Sequence, residues 1–246
     1  MPVRPSSIAS KRRWRLRWVL PGLLAIVLAT AGGLWLAFQH VPAWYRPVEI
    51  APDQMQAVRD DLVRVQSAFG EHLALASEPF EYRISQDQIN SWLAAREDIW
   101  PLSREWLPPG VSEPFVTIDP AGIRLAAACR YGSVQTVLSA RVMVRADENQ
   151  VHFQVIETHS GSLPVPRGWL RDRLASVPPP AEFPWAANGR GDGDPASVAD
   201  VLEGVSVPNT GVWWEPKRPY RVIAVRLEDG AIVLAIRPLP YRGSCR

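Results

Sequence analysis

Lysine is nearly missing from this chain: Lys11 and Lys217 stand alone, and arginine supplies every other basic residue. That skew follows genomic base composition and carries no functional reading. Cysteine is scarce too. Cys129 and Cys245 could pair in an oxidising compartment, or stay a buried thiol and a free tail thiol, but they cannot make a disulfide scaffold. The histidines are His40, His72, His152 and His159, and none stands beside Cys or Glu at a metal-ligand spacing. No phosphate-binding glycine loop and no nucleophile motif is present. The run from Gly189 to Asp194 is oxygen-rich but lacks the ligand order of a calcium loop. The expectation is a protein without metal or cofactor, and not an enzyme.

A basic surplus is also missing once the N-terminus is set aside. Six of the 27 basic residues (Arg4, Lys11, Arg12, Arg13, Arg15, Arg17) lie in the first 17 positions, with no acid among them. The remaining 21 face 25 acidic residues, a net charge of −4. A mildly acidic domain lacks the positive surface that neutralises phosphates, so a nucleic-acid partner is not expected.

What the chain does have is one long apolar run. Residues 18–38 carry no charge. As a helix they span about 31 Å at about 1.5 Å per residue, enough for a hydrocarbon core of about 30 Å. The basic residues flank only the N-terminal side, which predicts a cytoplasmic tail (1–17), a transmembrane helix (18–38), a juxtamembrane linker (39–50) and an extracytoplasmic domain (51–246) at the cell inner membrane. Trp14, Trp18, Trp44 and Tyr45 suit interfacial belts. Ala29-Thr30-Ala31 would suit signal cleavage, although the apolar run continues to Phe38; either reading exports the domain. Ala25, Ala29 and Gly33 put small residues on one helix face, a possible homodimer seam.

The rest predicts an α+β fold, a curved antiparallel β-meander against two or three helices. Apolar residues at steps of three and four (Met55, Val58, Leu62, Val65, Phe69, Leu73) predict an amphipathic helix over 52–75. Phe80 to Ile84 predicts a strand. Ser85 and Gln88 then make a capping box for a helix over 86–96. Period-two alternation predicts strands over 115–118, 123–131, 134–144 and 151–155, with turn chemistry at Asp119-Pro120-Ala121-Gly122. A helix is expected over 166–175, a Pro/Gly-rich loop over 177–196, and a last hairpin through Asp229-Gly230.

One sheet face is apolar along its length: Leu125, Leu138, Val142, Phe153 and Val155, with Trp169 on a nearby helix. If its helical cover leaves a groove, these residues would line a site for an apolar ligand, a membrane lipid being the natural candidate beside a bilayer. The other expectation is a scaffold subunit with an envelope protein partner and no ligand. The tryptophan total, 11, serves either, as packing or as an aromatic rim.

Three segments, FEYRISQDQINSWLAAR (80–96), LPPGVSEPFVTIDPAGIRLAA (107–127) and GSLPVP (161–166), follow the apolar helix in a pattern that resembles the YpmS-like family of membrane-anchored bacterial envelope proteins. Gln88, Ile89 and Asn90 match its helix motif. Gly161, Leu163, Pro164 and Pro166 match its Gly-x-Leu-Pro-x-Pro corner. The resemblance covers about 80–166. It implies an anchored β-meander domain with a form similar to extracytoplasmic lipid-binding domains.

Overall fold

The computed structural model describes residues 8–101, 103, 107–174, 202, 204–213 and 217–240. The tail before Ile8, the loop at 177–196, Cys245 and the Trp169 side chain lie outside the described residues.

Helix α1 (Ile8–Gln39) leads the chain. Its stretch Pro21–Gln39 is long and apolar enough to cross a membrane or to serve as a signal sequence, and none of it is buried. Then come α2 (Met55–Leu75), β1 (Phe80–Ser85), α3 (Gln86–Ala94) and the short α4 (Arg96–Ile99). Strands β2 (Val111–Asp119), β3 (Gly122–Tyr131), β4 (Val134–Ala146), β5 (Gln150–Ser160) and β6 (Leu163–Pro164) follow as a meander. After α5 (Arg167–Leu174) come β7 (Val205–Pro208), β8 (Thr210–Val212), β9 (Pro219–Glu228) and β10 (Ala231–Pro238).

The class is α+β with open antiparallel sheets, as the alternation predicts. The sheets, however, are two. One is the meander β2-β3-β4-β5-β6, with β7 added along β5; the other runs β1-β10-β9-β8. Strand β1 leaves the meander because its apolar residues match the C-terminal hairpin: Phe80, Tyr82 and Ile84 sit opposite Ile236, Leu234 and Ile232. The two sheets meet where Val222 and Val225 of β9 pack on Val142, Val144 and Val155.

The turns follow their chemistry. Asp119 accepts from the Ala121 N–H at 2.8 Å, an Asx turn that closes β2 onto β3. Ser85 opens α3 with both halves of the capping box formed. Within α3, Asn90 is buried and serves β2 as a surrogate strand neighbour. Its amide donates to the Val116 carbonyl at 2.9 Å and accepts from the Val116 N–H at 2.8 Å. Gln86 accepts from the Ile118 N–H at 2.8 Å. Helix side chains therefore cover the outer edge of β2, which would otherwise offer unpaired backbone groups to a second chain.

Residues 37–45 fasten α1 to the meander. The Thr136 hydroxyl donates to the Phe38 carbonyl at 2.6 Å, and the Ser162 N–H donates to the Ala37 carbonyl at 2.9 Å. Gly161 makes this approach possible: at φ 59°, any Cβ would lie 2.4 Å from the Ala37 and Phe38 carbonyl oxygens. On the other sheet face, Tyr45 packs edge-on to Phe115 at 5.9 Å and donates to the Glu113 carbonyl at 2.7 Å. Neighbours Thr136 and Val137 point to opposite faces, yet both are buried, because this segment wraps the strand from both sides.

Two substitutions test these joints. Asn90→Ala leaves a buried N–H and C=O of Val116 unmet, and should cost about 1–3 kcal/mol for each, read as a lower denaturation midpoint than for Asp87→Ala. Gly161→Ala should leave the meander folded but speed amide hydrogen exchange at Ser162; unchanged exchange would contradict the described fastening.

Candidate functional site

Helix α2 does not seal the four-stranded sheet it covers. Phe69 anchors it, with its ring 4.9 Å from Tyr82, 4.6 Å from Trp213, 5.6 Å from Tyr220 and 6.1 Å from Phe80. Arg218 fixes the C-terminal end of the helix by donating to the carbonyls of Leu73 and Ala74 at 2.6 Å and Ala76 at 2.9 Å, which satisfies groups that a helix end leaves open. Tyr82 donates to the Val65 carbonyl. Between these fixings the chain leaves a cavity of about 240 Å³. Leu62, Val65 and Gln66 of α2 form its roof, and Ile84, Val222, Leu234 and Ile236 its floor. Tyr82, Trp92, Trp213 and Tyr220 complete the wall.

The cavity is chemically apolar with a few polar handles. Burial raises the phenols of Tyr82 and Tyr220 above their ordinary range, so both stay neutral donors at neutral pH. The buried Trp92 indole N–H has no acceptor among the described residues. A void of about 150 Å³ lined by Leu, Ile and Phe stays dry and takes benzene, whereas drug-sized ligands fill about 300–1,000 Å³. This space therefore suits one ring or a length of one hydrocarbon chain, and is too small for a whole phospholipid.

The residues expected to line a groove do not come together here. Val142 and Val155 are packed core with Leu202, and Phe153 lies against that cluster. Leu125 and Leu138 stand on the same face but are 44% and 39% exposed. None of these five borders the cavity. The reason is the second sheet: β9 covers the Val142 end of the face and stops before the Leu138 end. Alternation shows which residues share a face, but not which element covers it. The cavity residues carried weaker signals. Leu62, Val65 and Phe69 show as a helix stripe, while Trp213 and Tyr220 lie too far along the chain for any local pattern to join them to it.

A second, open hollow of about 440 Å³ lies along β5 and β6 beside Glu157, His159 and Arg167, and its lining is largely polar. A third arrangement lies outside both. His152 of β5 meets the Ser206 hydroxyl of β7 at 2.7 Å with Nδ1 and the Asp147 carboxylate with Nε2. The same carboxylate accepts from the N–H groups of Asn149 and Gln150 at 2.8 and 2.7 Å. The residue types are those of an acyl-transfer triad, but Ser206 lies within a strand, directly across from His152, and neither cavity reaches it. Catalysis needs an oxyanion site and a place for substrate as well. The cluster pins β7 and the β4–β5 turn together.

The chain matches no protein-family model, no curated protein and no solved structure.

Asp147 supplies a pH test. The His152 hydrogen bond, with the two backbone N–H groups, holds its carboxyl down at about 2 from an ordinary 3.8. A depressed carboxylate stabilises the fold above its unfolded pKa, and that contribution is lost as pH falls towards about 2. Asp147→Asn should therefore lower the melting temperature at neutral pH, with the gap to the parent closing in acid. A gap independent of pH would rule out the charge as its source.

Proposed function

We propose that this chain is a single-pass, membrane-anchored envelope protein whose domain lies outside the cytoplasm and holds one apolar group, the acyl chain of a lipid, beneath α2. The observation that carries the reading is the cavity of about 240 Å³ between α2 and the second sheet, lined by aliphatic and aromatic side chains with Gln66 as the one amide among them. Its size limits the bound part to a single chain.

Three features support the setting. Pro21–Gln39 has the length and apolarity of a membrane span. The basic residues that precede it favour a cytoplasmic N-terminus. The likeness of 80–166 to the YpmS-like family points the same way, and we include membership in that family in the proposal. Its motif positions have physical work here: Asn90 holds β2, and Gly161 admits the end of α1.

The test is photolabelling of the full chain in liposomes with a diazirine fatty acid, followed by peptide mapping. Besides the label that α1 collects as a bilayer span, label should fall on α2 and β10. Val65→Phe, which fills the cavity from its roof, should abolish that label while leaving the circular dichroism unchanged. Leu125→Glu, on the exposed face of the other sheet, should not alter it. Label on α2 and β10 that survives Val65→Phe would reject the cavity as the site. No label on α2 and β10, with one protein reproducibly cross-linked to the chain in its own membranes, would favour the ligand-free scaffold reading.

A further inference from the structure

The meander carries an apolar patch on the face to which α1 is fastened. Leu138 is 39% exposed and Leu125 is 44% exposed. They lie on paired strands, with Ala127 opposite Leu138 and Ala140 opposite Leu125, so the two leucines are diagonal neighbours on one face. Isolated exposed leucines need no explanation. The position of this pair is what matters.

Thr136 lies on the same face of β4, two residues before Leu138. Its hydroxyl is bonded to the Phe38 carbonyl at 2.6 Å, in the last turn of α1. At about 3.4 Å per strand residue, Leu138 therefore sits about 7 Å along the strand from the end of the apolar helix. That helix end carries a stacked Trp35–Phe38 pair, with centroids 6.1 Å apart and Trp35 half-exposed. Tryptophan near the end of an apolar span marks the headgroup level. Gly161, Ser162 and Thr136 hold this end by backbone and hydroxyl contacts, so the domain is not on a loose tether that would let the patch turn away.

From this placement we infer that the Leu125–Leu138 face is a membrane-contact surface, resting in the headgroup–acyl boundary of the bilayer that α1 crosses. The inference rests on the reading of α1 as a membrane span. The bilayer is the occupant because the exposed apolar surface of α1 (Leu34, Trp35, Leu36) and this patch meet at one fastened corner. Contact of this kind fixes the tilt of the domain relative to the membrane.

The experiment uses the full chain in phosphatidylcholine–phosphatidylglycerol liposomes, with Cys129 and Cys245 replaced by serine. The environment-sensitive fluorophore NBD is attached to a single cysteine at one of four exposed positions: Leu138→Cys, Leu125→Cys, Leu34→Cys on α1, or Val63→Cys on α2. The probes at 138 and 125 should emit to the blue and lose intensity to lipids spin-labelled near the headgroup, while the probe at 63 should do neither. The probe at 34, on the span itself, should also be quenched. Quenching at 34 without quenching at 138 and 125 would overturn the inference and leave the membrane span standing. A blue shift at 138 without lipid quenching would mean that protein, such as a second copy, covers the face, which also overturns it. No quenching at 34 would reject the span itself, and the inference with it. Hydrogen exchange on the unsubstituted chain gives a second reading: peptides over 123–131 and 134–146 should be more protected in liposomes than in detergent, and equal protection would count against the contact.

Discussion

The close approach of backbone to backbone at Gly161 is the constraint from which the rest of the arrangement follows. A glycine at positive φ lets the β5–β6 corner come up against the carbonyls of Ala37 and Phe38, where any side chain would collide. Thr136 and Ser162 then donate to those carbonyls, which are among the groups that a helix end leaves without partners. Tyr45 closes the other face of the sheet, and Trp44 continues the wrap beneath the Arg124 guanidinium at 4.7 Å. The consequence is mechanical. The apolar helix and the meander are joined through short polar contacts, so the orientation of one sets that of the other.

The second sheet answers a different need. Strand β1 and the C-terminal hairpin form a surface whose inner side chains are large and aromatic. Phe69 gathers them under α2. Phe69 meets Tyr82 and Tyr220 edge-on, and the helix is held at both ends of the contact by Tyr82 and Arg218. The space left between is the cavity. The outer side of the same sheet bears cross-strand ion pairs, Arg226 with Glu81 at 3.0 Å and Arg83 with Glu228. Exposed pairs of this kind add little stability, but they make a sheet edge a poor template for aggregation.

Local chemistry was readable in the chain. The Ser85–Gln88 box, the Asp119 and Asp229-Gly230 turns and the alternation of β3 to β5 each depend on residues within a few positions of one another, and each formed as expected. Long-range choices were not. Nothing local tells Phe80 to pair with Ile236, and that pairing is what divides the strands into two sheets. Asn90 stood out as part of the resembled helix motif, but its hold on β2 could be read only once that strand was placed beside it. The apolar face of Leu125 to Val155 was correctly grouped by period two, yet its two ends met different neighbours, a second sheet at one and open surroundings at the other. The cavity went unseen because its walls come from α2, α3 and both ends of the domain.

The central claim is that a single apolar chain occupies the space beneath α2. Native mass spectrometry of the full chain, released gently from its own membranes, addresses it most directly. The account predicts a mass for one apolar adduct on the parent chain, and none on Val65→Phe. A parent chain that leaves the membrane bare in repeated preparations would contradict it.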